Sequence, residues 1–337
     1  MKILIISHKF NPDIGGIETV SEILANEFIL AGHQVRVITW SEDVTCIKFS
    51  FQIIRNPSFV KLFKQFIWAN VVFENNPSTR LSWPALILNK PTVIALQTWV
   101  ARTDGALTLI DKLKILKLKT AKKVISISKV IQEGTFKKSI IIPNPFNATL
   151  FTNVYKLAKE KDFVFLGRLV SDKGADMAIA ALAELNENLE NYNLSIIGDG
   201  PEKDNLKNSV ITLGLCKNVS FHGNLTGENL VKELIKHRYM LIPSKWKEPF
   251  GVVALEGIAC GCIPFVSDGG GLPDAVGNAG IVFKRGDLKD MVKKIKELLS
   301  DSKMENQLRI GAKKHLLAHD PKIIANRYLE VLKSVAI

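Results

Sequence analysis

Two carboxylates, Glu248 and Glu256, flank Pro249-Phe250-Gly251 and the apolar run that starts at Val252. A helix beginning near Gly251 directs the free amides of its first turn at any anion in the preceding loop, with Glu248 beside that anion. Glu256 then lies just over one turn further on, roughly 7–8 Å along the axis. One carboxylate can grip one end of a phosphorylated ligand and the other its far end. Two solvated acids drawn to a positive helix terminus would account for the same spacing, so the remaining loops have to discriminate.

Several of those loops are rich in glycine. Gly15-Gly16 sits where a first strand meets a first helix, so its backbone can approach a phosphate with no Cβ in the way. A tight turn alone also explains such a pair. In Gly167-Arg168-Leu169-Val170-Ser171-Asp172-Lys173-Gly174, Arg168 offers a planar fork and Lys173 a mobile point charge, together able to neutralise a diphosphate. Gly198-Asp199-Gly200-Pro201 and His222-Gly223 close strands, for which turn formation suffices. Gly269-Gly270-Gly271 leaves backbone that a sugar or phosphate can approach. The pattern GxGxxG is absent, and no acid about 20 positions on ends a second strand, which argues against a nicotinamide cofactor.

The elements that must carry these loops alternate. Residues 2–7 read as a strand, 17–31 as a helix with Val20, Ile23, Leu24 and Phe28 at helical spacing, and 35–39 as a second strand. This order marks a parallel sheet with crossover helices. Apolar strand candidates follow at 71–74, 92–96, 123–127 and 139–142, until Pro143-Asn144-Pro145-Phe146 breaks the pattern. The alternation restarts at Phe163. At 337 residues, 47% of them apolar, the chain suits two domains. The expected fold is α/β, with two doubly wound Rossmann-like domains over 1–146 and 161–320, a linker over 147–160, and a terminal helix within 321–337 returning to the first domain. Such halves place their ligand loops at the strand C-termini, facing a central cleft.

A formal net charge of +12 points to anionic partners. No recognised nucleic-acid module accompanies it, so nucleic acid is not an expected partner. Cys46, Cys216, Cys260 and Cys262 form neither a CxxC pair nor a metal-ligand pattern, so free thiols and no metal site are expected. The run Ile3-Leu4-Ile5-Ile6 is too short for a signal segment and no stretch is long enough to span a bilayer, which gives a cytoplasmic expectation. Lys112–Lys123 carries six lysines, with apolar positions 113, 116 and 120/121 along one helical side, and Phe59–Trp68 is a second basic, aromatic, amphipathic stretch. Both suit the surface of an anionic membrane, or equally the covering of a sheet.

Taken together, Gly15-Gly16-Ile17-Glu18, Pro143-Asn144, Gly167-Arg168 with Lys173-Gly174, Gly198-Asp199-Gly200-Pro201 and the spacing of Glu248 to Glu256 resemble the retaining GT-B glycosyltransferases of family 4. The resemblance spans almost the whole chain. It implies a nucleoside diphosphate sugar donor, UDP- or GDP-linked, with no separate cofactor and no metal, and a saccharide or lipid-linked acceptor of cell-surface polysaccharide or lipopolysaccharide synthesis. Arg168, Lys173 and Glu248 would be the catalytic set. Gly15, Gly16, Gly223, Phe250, Gly251, Val252 and Glu256 would complete the donor site, with Glu256 on the ribose hydroxyls and Glu248 on the transferred sugar. Many members carry a histidine where this chain has Gln97, which cannot accept a proton. Asp104 is a candidate substitute base on the acceptor side, with capping of its own loop as the other reading, and a silent sugar-nucleotide-binding subunit is the alternative function.

Overall fold

The run Ile3-Leu4-Ile5-Ile6 is buried on both sides in strand β1 (Lys2–Ile6), as the centre of a parallel sheet requires. In the computed structural model the described residues are 1–13, 15–42, 47–100, 107–151, 159–187 and 190–336. They fall into two units, Met1–Pro145 with His319–Ile337, and Phe146–Ala318.

In the first unit β1 is followed by α1 (Gly16–Leu30), β2 (Gln34–Thr39), β3 (Gln52–Arg55), α2 (Phe59–Trp68), β4 (Val71–Asn75) and α3 (Thr79–Ile87). Then come β5 (Thr92–Leu96), α4 (Leu109–Thr120), β6 (Lys123–Ser126), α5 (Lys129–Thr135) and β7 (Ile140–Ile141). The strands form one parallel sheet in the order β3-β2-β1-β4-β5-β6-β7. Alternate side chains of each strand feed opposite cores. Ile3, Ile5 and Phe73 pack with Leu24 and Phe28 of α1, whereas Leu4, Ile6 and Val72 pack with Leu62 and Phe66 of α2 and Leu81 of α3. Strand β3 has no counterpart in the sequence reading, because only Ile54 of its four residues is fully buried.

The second unit runs β8 (Lys161–Leu166), α6 (Ala175–Asn186), β9 (Leu194–Ile197), α7 (Lys203–Thr212), β10 (Val219–Gly223), α8 (Gly227–Leu234) and β11 (His237–Ile242). It continues through α9 (Val252–Ala259), β12 (Ile263–Ser267), α10 (Leu272–Val276), β13 (Ile281–Phe283), α11 (Leu288–Ser300) and α12 (Ser302–Ala318). Its parallel strands lie in the order β10-β9-β8-β11-β12-β13. The order reverses between β8 and β11. Ligands of such sheets bind outside the strand C-termini at that switch point. The final helix, α13 (Pro321–Lys333), belongs to the first unit, where Ile324, Tyr328 and Leu332 join the core on the α1 side. Part of the expected linker, 152–158, lies outside the described residues.

One expectation is corrected by α4. Leu113 and Leu116, read as a side able to cover the sheet, are 48% and 57% exposed, while Asp111 and Leu118 face inward. Lys117 nevertheless reaches inward, its Nζ 2.5 Å from Glu74 and 2.6 Å from the Ser78 carbonyl oxygen. A fully buried carboxylate needs a partner, and Lys117 supplies the countercharge to Glu74.

Candidate functional site

The loops after β8 and β11 hold most of the residues singled out for donor binding, and they are stitched together at the switch point. A single 3₁₀ turn, Ser171–Lys173, follows β8. The Asp172 carbonyl accepts from the backbone N–H groups of Lys245 at 2.8 Å and Trp246 at 3.3 Å. Gly174 closes the turn in the left-handed region, φ 78°, and a Cβ there would run into the carbonyl of Pro243. Only glycine meets both conditions.

This stitching brings Lys173 to Glu248, with Nζ 2.5 Å from Oε1. The Ser244 hydroxyl lies 3.1 Å from the same oxygen and 3.2 Å from the Asp172 carbonyl, so its one proton can serve either. On another side the Lys173 ammonium stands 5.4 Å from the centre of the Trp246 ring, within cation–π range. Lys173 is thus held as a fixed positive charge between a carboxylate and an aromatic ring. Ser244 and Trp246 were not singled out from the sequence. Their only signal there is position, four and two residues before Glu248.

The Glu248 segment is braced from β12. The Gly271 N–H donates to the Glu248 carbonyl at 2.7 Å, and Gly270, φ 74°, approaches the same backbone too closely for any Cβ. Gly269 packs against the Arg285 side chain. These three glycines therefore brace a protein loop. Phe250 is buried beneath the loop, and Gly251, φ 112°, caps α9 without a side-chain bond to its first turn. The amides at the start of α9, beside the half-exposed Gly251 and Val252, have no side-chain cap and are of the kind that can receive an anion.

Glu256 lies on α9. It has no hydrogen bond or ion pair among the described residues, and burial pushes its carboxyl up to about 7. Part of the side chain stays accessible, leaving a carboxyl whose oxygens are uncommitted and suited to a hydroxylated ligand. Arg168 is exposed just past β8, with no ion pair among the described residues. Gly223 ends β10 in the left-handed region, φ 65°, its carbonyl accepting from the Gly198 N–H at 2.8 Å. A second cluster, Glu233 with Lys161, His222 and His237, joins the first residues of β8 and β11 to the penultimate residue of β10. Its lysine hydrogen bonds outweigh desolvation and hold Glu233 down to about 2, marking a structural ion network.

In the first unit, Gly15 caps α1 with extended backbone and Gly16 opens the helix with free space where a Cβ would stand. Gln97, just past β5, is buried. Its oxygen accepts from the Asn144 amide at 2.8 Å, and its backbone N–H donates to Asn76 at 3.2 Å. His319 in turn donates to the Asn144 carbonyl at 3.0 Å. Gln97 therefore fastens the Pro143-Asn144 segment to the sheet. Asp104 lies outside the described residues.

Two parallel sheets of this topology define the GT-B glycosyltransferase fold, and solved structures agree over the whole chain. HepE of Anabaena in complex with UDP superimposes with a TM-score of 0.84 at 18% identity, covering 99% of this chain and 100% of that one. Sucrose-phosphate synthase of Thermosynechococcus elongatus gives 0.79 at 20% identity, covering 99% and 98%. Residues 149–315, which hold the sites from Arg168 to Glu256, match the model of the group 1 glycosyl transferases. The GDP-mannose-dependent alpha-(1-6)-phosphatidylinositol monomannoside mannosyltransferase of Mycolicibacterium smegmatis is 30% identical over 47% of this chain and 44% of its own length. The gpi3 subunit of phosphatidylinositol N-acetylglucosaminyltransferase from Schizosaccharomyces pombe is 24% identical over 88% of this chain and 72% of its own. The chain spans about half, or less, of the length of the first curated relatives it matches.

Proposed function

We propose that the chain is a retaining glycosyltransferase of family 4, moving a hexosyl unit from a UDP- or GDP-sugar to a saccharide or lipid-linked acceptor. The carrying observation is the fixed Lys173 at the β8–β11 switch point, beside the uncapped start of α9 and the uncommitted carboxyl of Glu256. In the reaction the bond from the anomeric carbon to the diphosphate breaks and negative charge develops on the departing oxygen. Arg168, Lys173 and the first amides of α9 stabilise that charge without reorganising. This cationic set makes a metal ion unnecessary. Glu256 takes the ribose hydroxyls, Glu248 orients the transferred sugar, and the Gly223 backbone lies on the side of the base. On the first unit, Gly15-Gly16 offers the amides of α1 to an anion.

Gln97 cannot accept a proton, so the departing phosphate oxygen is the group that takes the proton of the incoming hydroxyl, on the face it vacates. The same residue favours a second reading, a silent sugar-nucleotide-binding subunit. Two relatives named for action on phosphatidylinositol substrates support a lipid-linked acceptor at a membrane face, and cell-surface polysaccharide or lipopolysaccharide synthesis is the role we propose for the transfer. Incubation with a panel of UDP- and GDP-sugars and amphiphilic acceptors, with the product anomer read by NMR, tests the proposal. A product that keeps the donor's configuration without added metal is expected. An inverted product would overturn retention, and tight donor binding with neither transfer nor hydrolysis would establish the silent subunit.

A further inference from the structure

The first unit covers one sheet face with α1 and α13 and the other with α2, α3 and α4, and this second layer has an apolar outer side. On α4, Asp111 and Leu118 face inward, while Leu109, Ile110, Leu113 and Leu116 are each between 48% and 75% exposed. Spacings of three and four residues put Leu109, Leu113 and Leu116 on one stripe. The neighbouring α2 exposes Phe59, Val60 and Ile67, and α3 exposes Leu86 and Ile87, all at 58% or more. Scattered single exposures of this kind are ordinary; nine on three adjacent helices mark an interaction surface.

The charge on the same helices has one sign. Lys61 and Lys64 of α2, Arg80 of α3, and Lys112, Lys114 and Lys119 of α4 all lie outside the Lys117 pair. The single acid, Asp111, is turned inward, where it caps the start of α4 together with Thr108. An anionic surface therefore meets no exposed carboxylate on these helices. Lysine stems can lie along apolar surface with their ammonium groups at the phosphate level while the leucines enter the acyl boundary. An acidic protein or a nucleic acid would use the lysines and leave the aliphatic side chains in water.

The layer also reaches the ligand end of its sheet. Arg80 lies in the first turn of α3, directly after the C-terminal end of β4, and the first turn of α4 likewise stands on the strand C-terminal side of β5. We infer that the outer face of α2, α3 and α4 docks on an anionic bilayer and presents a membrane-borne acceptor headgroup to the C-terminal edge of the first sheet. The docking stands on the surface alone; the acceptor role rests on the glycosyltransferase reading.

Flotation of the full chain with phosphatidylcholine vesicles, with and without added phosphatidylglycerol, tests the docking. Co-flotation with the anionic vesicles only is expected. The pair Lys112→Ala and Lys119→Ala should weaken it by about twentyfold to thirtyfold, since each lysine near such a surface contributes about fivefold. Leu113→Ser with Leu116→Ser should abolish it, with the thermal melt unchanged because both side chains are exposed. No flotation of the wild type, or flotation that survives both pairs, overturns the inference. So does a wild-type dimer that the leucine pair dissociates, which would assign the face to a second copy of the chain. Thermal shift with UDP- and GDP-sugars separates the two proposals: donor binding without flotation removes the docking alone, and flotation without donor binding removes the transferase reading and the acceptor role with it, leaving the docking.

Discussion

Replacing Glu256 by glutamine should make the protein more stable and the donor weaker, and the gain in stability should depend on pH. The Glu256 carboxyl, ordinarily near 4.5, is held at about 7 by burial with no compensating partner. An acid raised on folding is bound to its proton more tightly in the folded state. Its unfavourable contribution is therefore absent below the unfolded value, grows as the pH rises from about 4.5 to 7, and is complete above 7. At about 1.36 kcal/mol per tenfold change in the proton equilibrium, that contribution reaches about 3 kcal/mol at pH 8. Partial exposure of the side chain reduces it, and about 2 kcal/mol is the working figure. For a unit of this size the figure corresponds to roughly 4–8 °C in Tm. Thermal melts of wild type and Glu256→Gln at pH 5 and pH 8, followed by a probe of the second unit, give the comparison. The variant should melt several degrees higher at pH 8 and close to the wild type at pH 5. A difference that is the same at both values would refute the reasoning, because it would place the effect in packing and not in an unpaired charge.

Other consequences follow from the same contacts. Lys117→Ala leaves the buried Glu74 carboxylate unpaired, so the first unit should lose about 3–5 kcal/mol in denaturant unfolding. Adding Glu74→Gln should restore much of the loss, and no restoration would show that the charge is not its source. Trp246→Ala removes the ring beside Lys173 and should weaken donor binding severalfold in calorimetry, in keeping with about 0.5–2 kcal/mol for such a contact, whereas Trp246→Phe should retain most of the affinity. Gly174→Ala forces a Cβ toward the Pro243 carbonyl. It should lower the Tm and donor affinity together, and a variant with native stability and affinity would contradict the stitched loops.

Much of the architecture is legible in the chain because parallel strands buried on both faces are written as continuous apolar runs, as in Ile3-Leu4-Ile5-Ile6 and Thr92-Val93-Ile94-Ala95-Leu96. Strand β3 is not, since Gln52-Ile53-Ile54-Arg55 is short and mostly polar at its ends. Around the switch point, glycines and charges at strand ends pick out Arg168, Lys173, Glu248 and Glu256 as residue types. The partnership of Lys173 with Glu248 crosses 75 residues and depends on the β8 and β11 loops meeting, which local pattern does not record. The rotation of α4 was illegible for a different reason. Apolar residues occur nearly all round Leu109-Ile110-Asp111-Lys112-Leu113-Lys114-Ile115-Leu116-Lys117-Leu118, so periodicity admits several inward faces. The face that carries Asp111 and Leu118 is the one buried.

The central claim is that a sugar nucleotide is held by its diphosphate at the loops after β8 and β11. Isothermal titration of UDP- and GDP-sugars into the wild type, Lys173→Ala and Glu256→Ala tests it most directly. The account predicts saturable binding of at least one sugar nucleotide to the wild type and a loss of tenfold or more in each variant, reflecting about 1.4 kcal/mol or more per site. Unchanged affinity in both variants would contradict it.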